Sequence, residues 1–433
     1  MTWNFHRYYT DSTDGLISKL KLANDRVEVL KELRKRVRTR TKEVFVEARD
    51  LAKASNTMLS MESFTARVAN TRLKHLSPQA QTEVALLIKN MDDTARQAFL
   101  TLTPRFWTQG SFQYDTLNNP YATPPQEMDI DDGTYLPMAI FEDRPVIGHR
   151  LLLLLVDSSL KSLVHENHGW EFEAKRTCAR VKIPEMNTHI DVPMYAVPAD
   201  QFMLKEAGME SFKGEARDFG DHIAGSFAYN RADYELDEGC VNLALREGEQ
   251  KWIKSDPKIV EDWFNDSCRR IGPHLRKICR FMKSWRDAQW VDGGGPSSIS
   301  LMAATVGILD RVPHEKADLG ATMKIVANQL PDEFANGVES PDHTDEKPLF
   351  PPHHEHEARE REIMEKLSEL KEIISQAEEA LTKELALESI NRAFGRRVNK
   401  SELIISAPSA PAFAKEPTTG SQAARISTTM ASG

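Results

Sequence analysis

The stretch 108-TQGSFQYDTLNNPYATPPQEMDIDDGTY-135 decides how this chain reads. A Gly-Ser pair, Gly110 and Ser111, precedes a strand-like MDIDD run that sets Asp129 and Asp131 on one face. Aspartate fits strands poorly, and two carboxylates about 7 Å apart along one face repel each other. Divalent cations between the acids would offset that repulsion. Hard oxygen ligands suit Mg2+, which commonly keeps waters and takes its other ligands from one or two carboxylates plus substrate phosphates.

A two-metal site needs a third carboxylate near the nucleophile. Asp191 in 188-THIDVPMY-195 is the candidate, an acid that again interrupts an apolar run. The run CARVKI at 178–183 can form a hairpin with it through PEMNT. A neighbouring strand lies about 5 Å away, so Asp191 would close a triangle with Asp129 and Asp131. Gly110 lets backbone approach a phosphate, and the Ser111 hydroxyl with nearby amides can bind triphosphate oxygens, most simply near a helix N-terminus. Alone, a Gly-Ser pair is ordinarily a turn and a DxD a loop feature. Their order, Gly-Ser, then DxD in a strand, then a third acid in a later strand, resembles the polymerase-beta-like nucleotidyltransferase superfamily.

The 433 residues are 40% hydrophobic and 28% charged, as in ordinary soluble globular proteins. The net charge of -9 argues against a protein that coats nucleic acid, and no nucleic-acid activator is expected. One local basic run remains, with Arg34, Lys35, Arg36, Arg38, Arg40 and Lys42 on a helical-looking segment. The cysteines at 178, 240, 268 and 279 form no CxxC pair, which fits reduced thiols in a cytoplasm. The N-terminus lacks the apolar core of a signal peptide, and LLLLLV at 151–156 is too short to span a bilayer, so a cytoplasmic location without membrane contact is expected.

The expected fold class is α+β, a nucleotidyltransferase lobe of mixed sheet and helices packed on a helical lobe with the substrate cleft between. Residues 1–103 read as N-terminal helices packing on both lobes, with Ser77 and Pro78 opening one of them. Residues 104–235 read as the catalytic core, with 205–235 connecting the lobes, and 236–405 as the C-terminal helical lobe. An acidic helix is expected from about 357 to 394, with Ile363, Leu367, Leu370, Ile374, Ala377, Leu381 and Leu385 on its buried face. Residues 406–433, rich in Ala, Ser, Thr and Pro, read as a flexible tail ending in Gly. PPHHEHE, with His353, His354 and His356, reads as a solvated loop entering a helix.

The blocks LTPRFWTQGSFQYDTLN, QEMDIDDGTY, HIDVPMYA, SDPKIVEDWFNDSC, RFMK and GGPSSISLMAATV, with TDEKPLFPP further on, resemble the bacterial cyclic GMP-AMP synthases. These are dinucleotide cyclases of the cGAS/DncV-like nucleotidyltransferase family. The resemblance spans nearly the whole chain. It implies joining of ATP and GTP into 3′,3′-cyclic GMP-AMP with pyrophosphate release at two Mg2+ ions, for which Mn2+ can substitute. It assigns Asp129 and Asp131 to both metals and Asp191 to the metal at the attacking hydroxyl. Gln109, Gly110 and Ser111 would grip the donor triphosphate with Tyr114 close by, and Lys283 and Ser298 would touch it from the helical lobe. Arg180 would be a cleft arginine near the nucleotides, and Asp345 an acid that reads a guanine edge. Read without the family, Ser298 is an N-cap and Lys283 an exposed helix lysine. Arg36, Arg40, Arg105, Asp256 and Trp263 resemble a reverse-side pocket for a folate-like inhibitor. Gly433 would be the point at which a ubiquitin-transferase-like conjugating enzyme attaches the chain, and the product would activate an effector in antiviral defence (CBASS). The alternatives are the same fold making another cyclic dinucleotide or an oligonucleotide, and a non-catalytic nucleotide-binding scaffold.

Overall fold

The computed structural model describes residues 2–55, 60–138, 140–141, 144–145, 148–199, 241–248, 251–343, 348–351 and 357–407. Among them is a seven-stranded mixed sheet. In chain order its strands are β1 (Arg105–Gln109), β2 (Met128–Met138), β3 (Glu171–Ala174), β4 (Cys178–Ile183), β5 (Thr188–Pro198), β6 (Asn242–Ala244) and β7 (Trp252–Lys254). The MDID and YLPM runs are one continuous strand, β2. CARVKI and HIDVPM form the expected antiparallel hairpin, β4 with β5, joined by a turn at Pro184–Met186 in which Asn187 has φ +44. Strand β5 is the spine: it pairs parallel with β2 along one edge, and with β4 and then β6 along the other.

A parallel pair needs a crossover, which here includes the helix His149–Glu166. That helix carries Leu151 to Val156 and is buried on nearly every side, as an all-round apolar helix must be. It packs between the sheet and the long helix α1 (Asn24–Ala54). The basic run lies on α1; Lys35, Arg36 and Lys42 are exposed, whereas Arg34, Arg38 and Arg40 turn their guanidiniums onto the protein. Arg38 makes a bidentate ion pair with Asp132, which is fully buried on the face of β2 opposite Asp131. Arg34 and Arg38 both donate to Thr108 Oγ1 on β1, at 2.6 and 2.9 Å. Arg40 donates to Ser162 Oγ and Glu166, at 2.8 and 2.6 Å.

The second core is helical. In chain order beyond α1, and after the one-turn helix α2 (Gly110–Gln113), its helices are α3 (Pro257–Ile271), α4 (His274–Gln289), α5 (Ser298–Arg311), α6 (Leu319–Ala335), α7 (Glu357–Glu379) and α8 (Lys383–Phe394). Residues Trp3 to Leu20 pack into this helical core, whereas Leu30 to Leu102 pack against the sheet. Trp3–Asn4 also pairs antiparallel with Ile405–Ser406.

Two local expectations need correction. The acidic helix does not run unbroken to 394. It stops at Glu379, and Thr382 caps a new helix, α8, by accepting the Leu385 N–H at 3.3 Å. Leu381 sits in that break 90% exposed and Leu385 is 46% exposed, so neither belongs to the buried stripe. Folding α8 back onto α7 instead buries Ala386, Ile390, Ala393 and Phe394. The residue that caps α5 is Ser297, which accepts the Ser300 N–H at 3.1 Å, and not Ser298. No described helix is long and apolar enough to cross a membrane.

Because Asp132 is buried with Arg38 as its ion-pair partner, Arg38→Ala leaves an uncompensated buried charge and should cost about 3–5 kcal/mol in denaturant unfolding. Arg36→Ala, on the exposed side of the same helix, should cost about 1 kcal/mol or less.

Candidate active site

The sheet register builds the site. Gln109 on β1, Asp131 on β2, Asp191 on β5 and Arg180 on β4 are successive cross-strand partners in one line. Two residues along, Asp129, His189 and Lys182 form a parallel line on the same face. Alternation sends Asp132 to the other side. The three acids singled out in the sequence are therefore gathered, with His189 set among them. One carboxylate oxygen each of Asp129 and Asp191 and a ring nitrogen of His189 lie within 4.8 Å of one another.

Each carboxylate has its own answer to the crowding. Asp191 is held by Arg180, whose Nε and Nη2 donate to its two oxygens at 2.6 and 2.7 Å. Asp129 Oδ1 lies 2.9 Å from His189 Nε2, and the other ring nitrogen of His189 is 2.8 Å from Glu127 Oε2. Burial opposes charge on that imidazole, but the contact with Asp129 outweighs it and raises its pKa. Among the described residues no cation is in contact with Asp131, although the charges of His189 and Arg180 reach it. Packed round by protein, its carboxyl is pushed up to about 8, first by burial and then by Asp129 and Asp191.

These residues fit a divalent cation. Asp129 Oδ1 and His189 Nε2 are both buried and, despite their proximity, lack a hydrogen bond of proper geometry. A cluster of oxygens with an orphaned acceptor is the donor set a hard cation takes. His189 and Glu127 were not singled out in the sequence. The alternation of HID with Asp191 was the available signal, since residues two apart on a strand share a face.

Gly110 sits at the turn from β1 into α2 with φ +65, and a Cβ there would collide with Asp131 Oδ2. Only glycine serves both constraints. Ser111 follows in the first turn and lines the cleft. Gln109 has a different post: its amide spans Tyr135 Oη at 2.9 Å and Tyr195 Oη at 3.1 Å, and it is buried. Tyr114 ends α2 and packs against Phe264 of the helical core.

The cleft between sheet and helices has a volume of about 420 Å3. Ser111, Glu127 and Asp129 line it from one side, and Lys283, Arg286, Trp290, Gly293 to Gly295 and Ser298 from the other. Lys283, fully enclosed, donates to the Thr116 carbonyl at 2.8 Å, and burial, then the Arg286 charge, pulls its ammonium down to about 8. One turn away on α4, Arg286 donates to Ser298 Oγ at 2.7 Å. Arg280 ties the loop after α2 to the same helix through Asp115 and Leu117. Arg286, absent from the sequence reading, is therefore a second cation in the wall.

Other candidates lie elsewhere. Arg36 and Arg40 line a reverse-side groove of about 230 Å3 with Glu32, Glu43 and Glu166. Arg105, Asp256 and Trp263 are not among its lining residues: Arg105 starts β1, and Asp256 and Trp263 cap and join α3. Asp345, the histidines 353, 354 and 356, the segment 205–235 and Gly433 lie outside the described residues.

A sheet carrying a DxD and a third acid beside a Gly-Ser turn, facing a basic helix across a cleft, is the arrangement of a nucleotidyltransferase. The family described as cyclic GMP-AMP synthase DncV-like, nucleotidyltransferase domain, matches residues 104–195, and cyclic GMP-AMP synthase, C-terminal domain, matches 272–407. The chain is 62% identical to a cyclic GMP-AMP synthase of Vibrio cholerae serotype O1 and 54% identical to one of Escherichia coli strain TW11681, over 100% of this chain and of each relative. Its fold is similar to the V. cholerae dinucleotide cyclase in complex with GTP and 5MTHFGLU2, with a TM-score of 0.85 and 62% identity over 94% of this chain and 100% of that one. It is equally similar, at 0.85 and 61% over the same shares, to that cyclase with the linear intermediate 5′ pppA(3′,5′)pG. The chain belongs to the DncV-like cyclic GMP-AMP synthase family and is an enzyme of the nucleotidyltransferase class.

Asp131 is buried beside two like charges that raise its pKa, so Asp131→Asn should raise the metal-free Tm while lowering turnover on the order of a thousandfold. Gly110→Ala should lower both, because the new Cβ displaces the Asp131 carboxylate. Calorimetric unfolding and a pyrophosphate-release assay read the two effects.

Proposed function

We propose that the enzyme joins ATP and GTP into 3′,3′-cyclic GMP-AMP in two nucleotidyl transfers. In each, a ribose 3′-hydroxyl oxygen attacks an α-phosphorus, the bond to pyrophosphate breaks and the hydroxyl proton is lost. The observation that carries this is Asp129, which faces Lys283, Arg286 and Ser298 across one cleft and shares its sheet face with the cross-strand line Asp131–Asp191–Arg180. The V. cholerae relative, which has been solved with a linear pppA(3′,5′)pG intermediate, supports the substrate pair and the order of a linear step before closure.

Asp129 and Asp131 would hold two Mg2+ ions, with Asp191 sharing the one at the nucleophile; bound there, the ions supply Lewis-acid charge at the phosphoryl oxygens and lower the pKa of the attacking hydroxyl. Arg180 orients Asp191 through its bidentate contact and is near enough to neutralise it before nucleotide enters. Ser111 and the amides of α2 receive the triphosphate from the sheet side, and Lys283, Arg286 and Ser298 from the helical side. Asp345 reads guanine in this account, and Mn2+ can substitute for Mg2+. The product acts as a second messenger for a defence effector, and Gly433 serves conjugation; both rest on the family resemblance.

Incubation with Mg2+ and each pair of the four nucleoside triphosphates tests the reading. A phosphatase-resistant product with the mass of cyclic GMP-AMP is expected from ATP plus GTP, and its absence removes the proposal. A different cyclic or linear product from another pair would favour the alternative product, and no turnover with tight nucleotide binding would favour a scaffold. The pH dependence follows from Lys283. Its charged form predominates below about pH 8 and is lost above it, so the nucleotide KM should rise as pH passes from about 8 to 9.5. Lys283→Met should raise KM about tenfold at neutral pH and abolish that rise.

A further inference from the structure

The cleft wall opposite the acids includes a glycine loop, Gly293 to Gly295, that carries no side chain with which to bind anything. Gly293 and Gly294 have φ +87 and +101, conformations that leave the loop dependent on outside contacts for its shape. The Gly293 N–H donates to the Trp290 carbonyl at 3.2 Å, and the carbonyls that follow are held from α7, some 65 residues on. Arg359 donates from Nε to the Gly294 carbonyl at 2.6 Å and from Nη2 to the Gly295 carbonyl at 2.7 Å. Glu362, one turn along α7, accepts the Trp290 Nε1–H at 2.9 Å. Trp290 lines the cleft in turn, and its ring lies so close under Gly295 that a Cβ there would be 2.7 Å from it. Two side chains of α7 thus fix both layers of the wall, the loop and the indole beneath it.

The approach is from behind. Arg359 does not line the cleft but a smaller cavity of about 140 Å3 on the other side of Pro296 and Ser297. A trans peptide points its N–H opposite to its carbonyl. Drawing the Gly294 carbonyl towards Arg359 therefore turns the Gly295 N–H away from α7, to the side on which the cleft lies. Pro296 follows and has no N–H, so this amide is the donor that the clamped pair of peptides offers. It stands beside Ser298 and the start of α5, where anionic oxygens are favoured.

We propose that Arg359 is a positioning residue for nucleotide binding: it clamps the 293–295 loop from the α7 side so that the loop's amide receives a phosphate of a nucleoside triphosphate. This rests on the nucleotide reading given above. A planar fork onto two successive carbonyls is a task for arginine, and a lysine ammonium can satisfy only one of them at a time.

The test compares Arg359→Ala, Arg359→Lys and, as a control on the same helix, Arg361→Ala, an exposed residue that pairs with Glu357 at 3.8 Å. Affinity for a non-hydrolysable ATP analogue with Mg2+ is read by calorimetry, next to KM, kcat and Tm. Arg359→Ala should weaken binding and raise KM about tenfold with kcat at saturation within about twofold, Arg359→Lys should fall between, and Arg361→Ala should match the parent. Binding by Arg359→Ala equal to the parent's overturns the clamp, as does an equal loss in Arg361→Ala. Should Arg359→Ala lose its fold, Arg359→Lys decides by the same binding measurement. If the parent binds the analogue but turns over no nucleotide pair, the cyclase reading fails while the clamp is still read by calorimetry.

Discussion

Everything in the site depends on the parallel pairing of β2 with β5. A single register, Asp131 opposite Asp191, brings acids 60 residues apart in the chain onto one face. A slip by one residue would send Asp191 into the apolar layer and Ile190 into the cleft. The register is held from both sides: the hairpin with β4 fixes β5 from its other edge, and Arg38 fixes β2 through Asp132 on the opposite face. The strand thus carries charge on both faces, paired and buried behind, crowded in front.

The front is a balance of charges rather than a vacant acidic patch. Arg180 and His189 neutralise Asp191 and Asp129, while Asp131 carries the unrelieved cost as a raised pKa. A site arranged this way can fold without metal and still favour cations, because binding replaces repulsion at Asp131 with attraction. The opposite wall repeats the pattern. Lys283 is buried next to Arg286, so its ammonium is held below its usual range until anionic oxygens arrive. Two halves that are each uncomfortable alone, one acidic and one basic, are what a metal-bound triphosphate would complete under the proposed function.

Much of this was legible in the sequence. Alternation marked β2, the hairpin and the third acid, because strand periodicity is local and a charge within an apolar strand stands out. The α+β division into sheet and helical parts followed from the change in texture near residue 128. What escaped was set by tertiary contact. His189 reads as one more residue of an apolar strand until its cross-strand neighbour is known. The basic run on α1 suggests an exposed patch until Arg34, Arg38 and Arg40 are seen spending their donors internally. The break at 380–382 was hidden because Leu381 and Leu385 keep the helical spacing although both face solvent.

The central claim is that Asp129, Asp131 and Asp191 form one two-ion site closed by nucleotide. Anomalous diffraction at the manganese edge, on crystals grown with Mn2+ and a non-hydrolysable ATP analogue, tests it most directly. The account predicts two peaks, both against Asp129 and Asp131 and one of them also against Asp191, with that second peak lost in Asp191→Asn. A single peak, or peaks away from the β2–β5 pair, would contradict it.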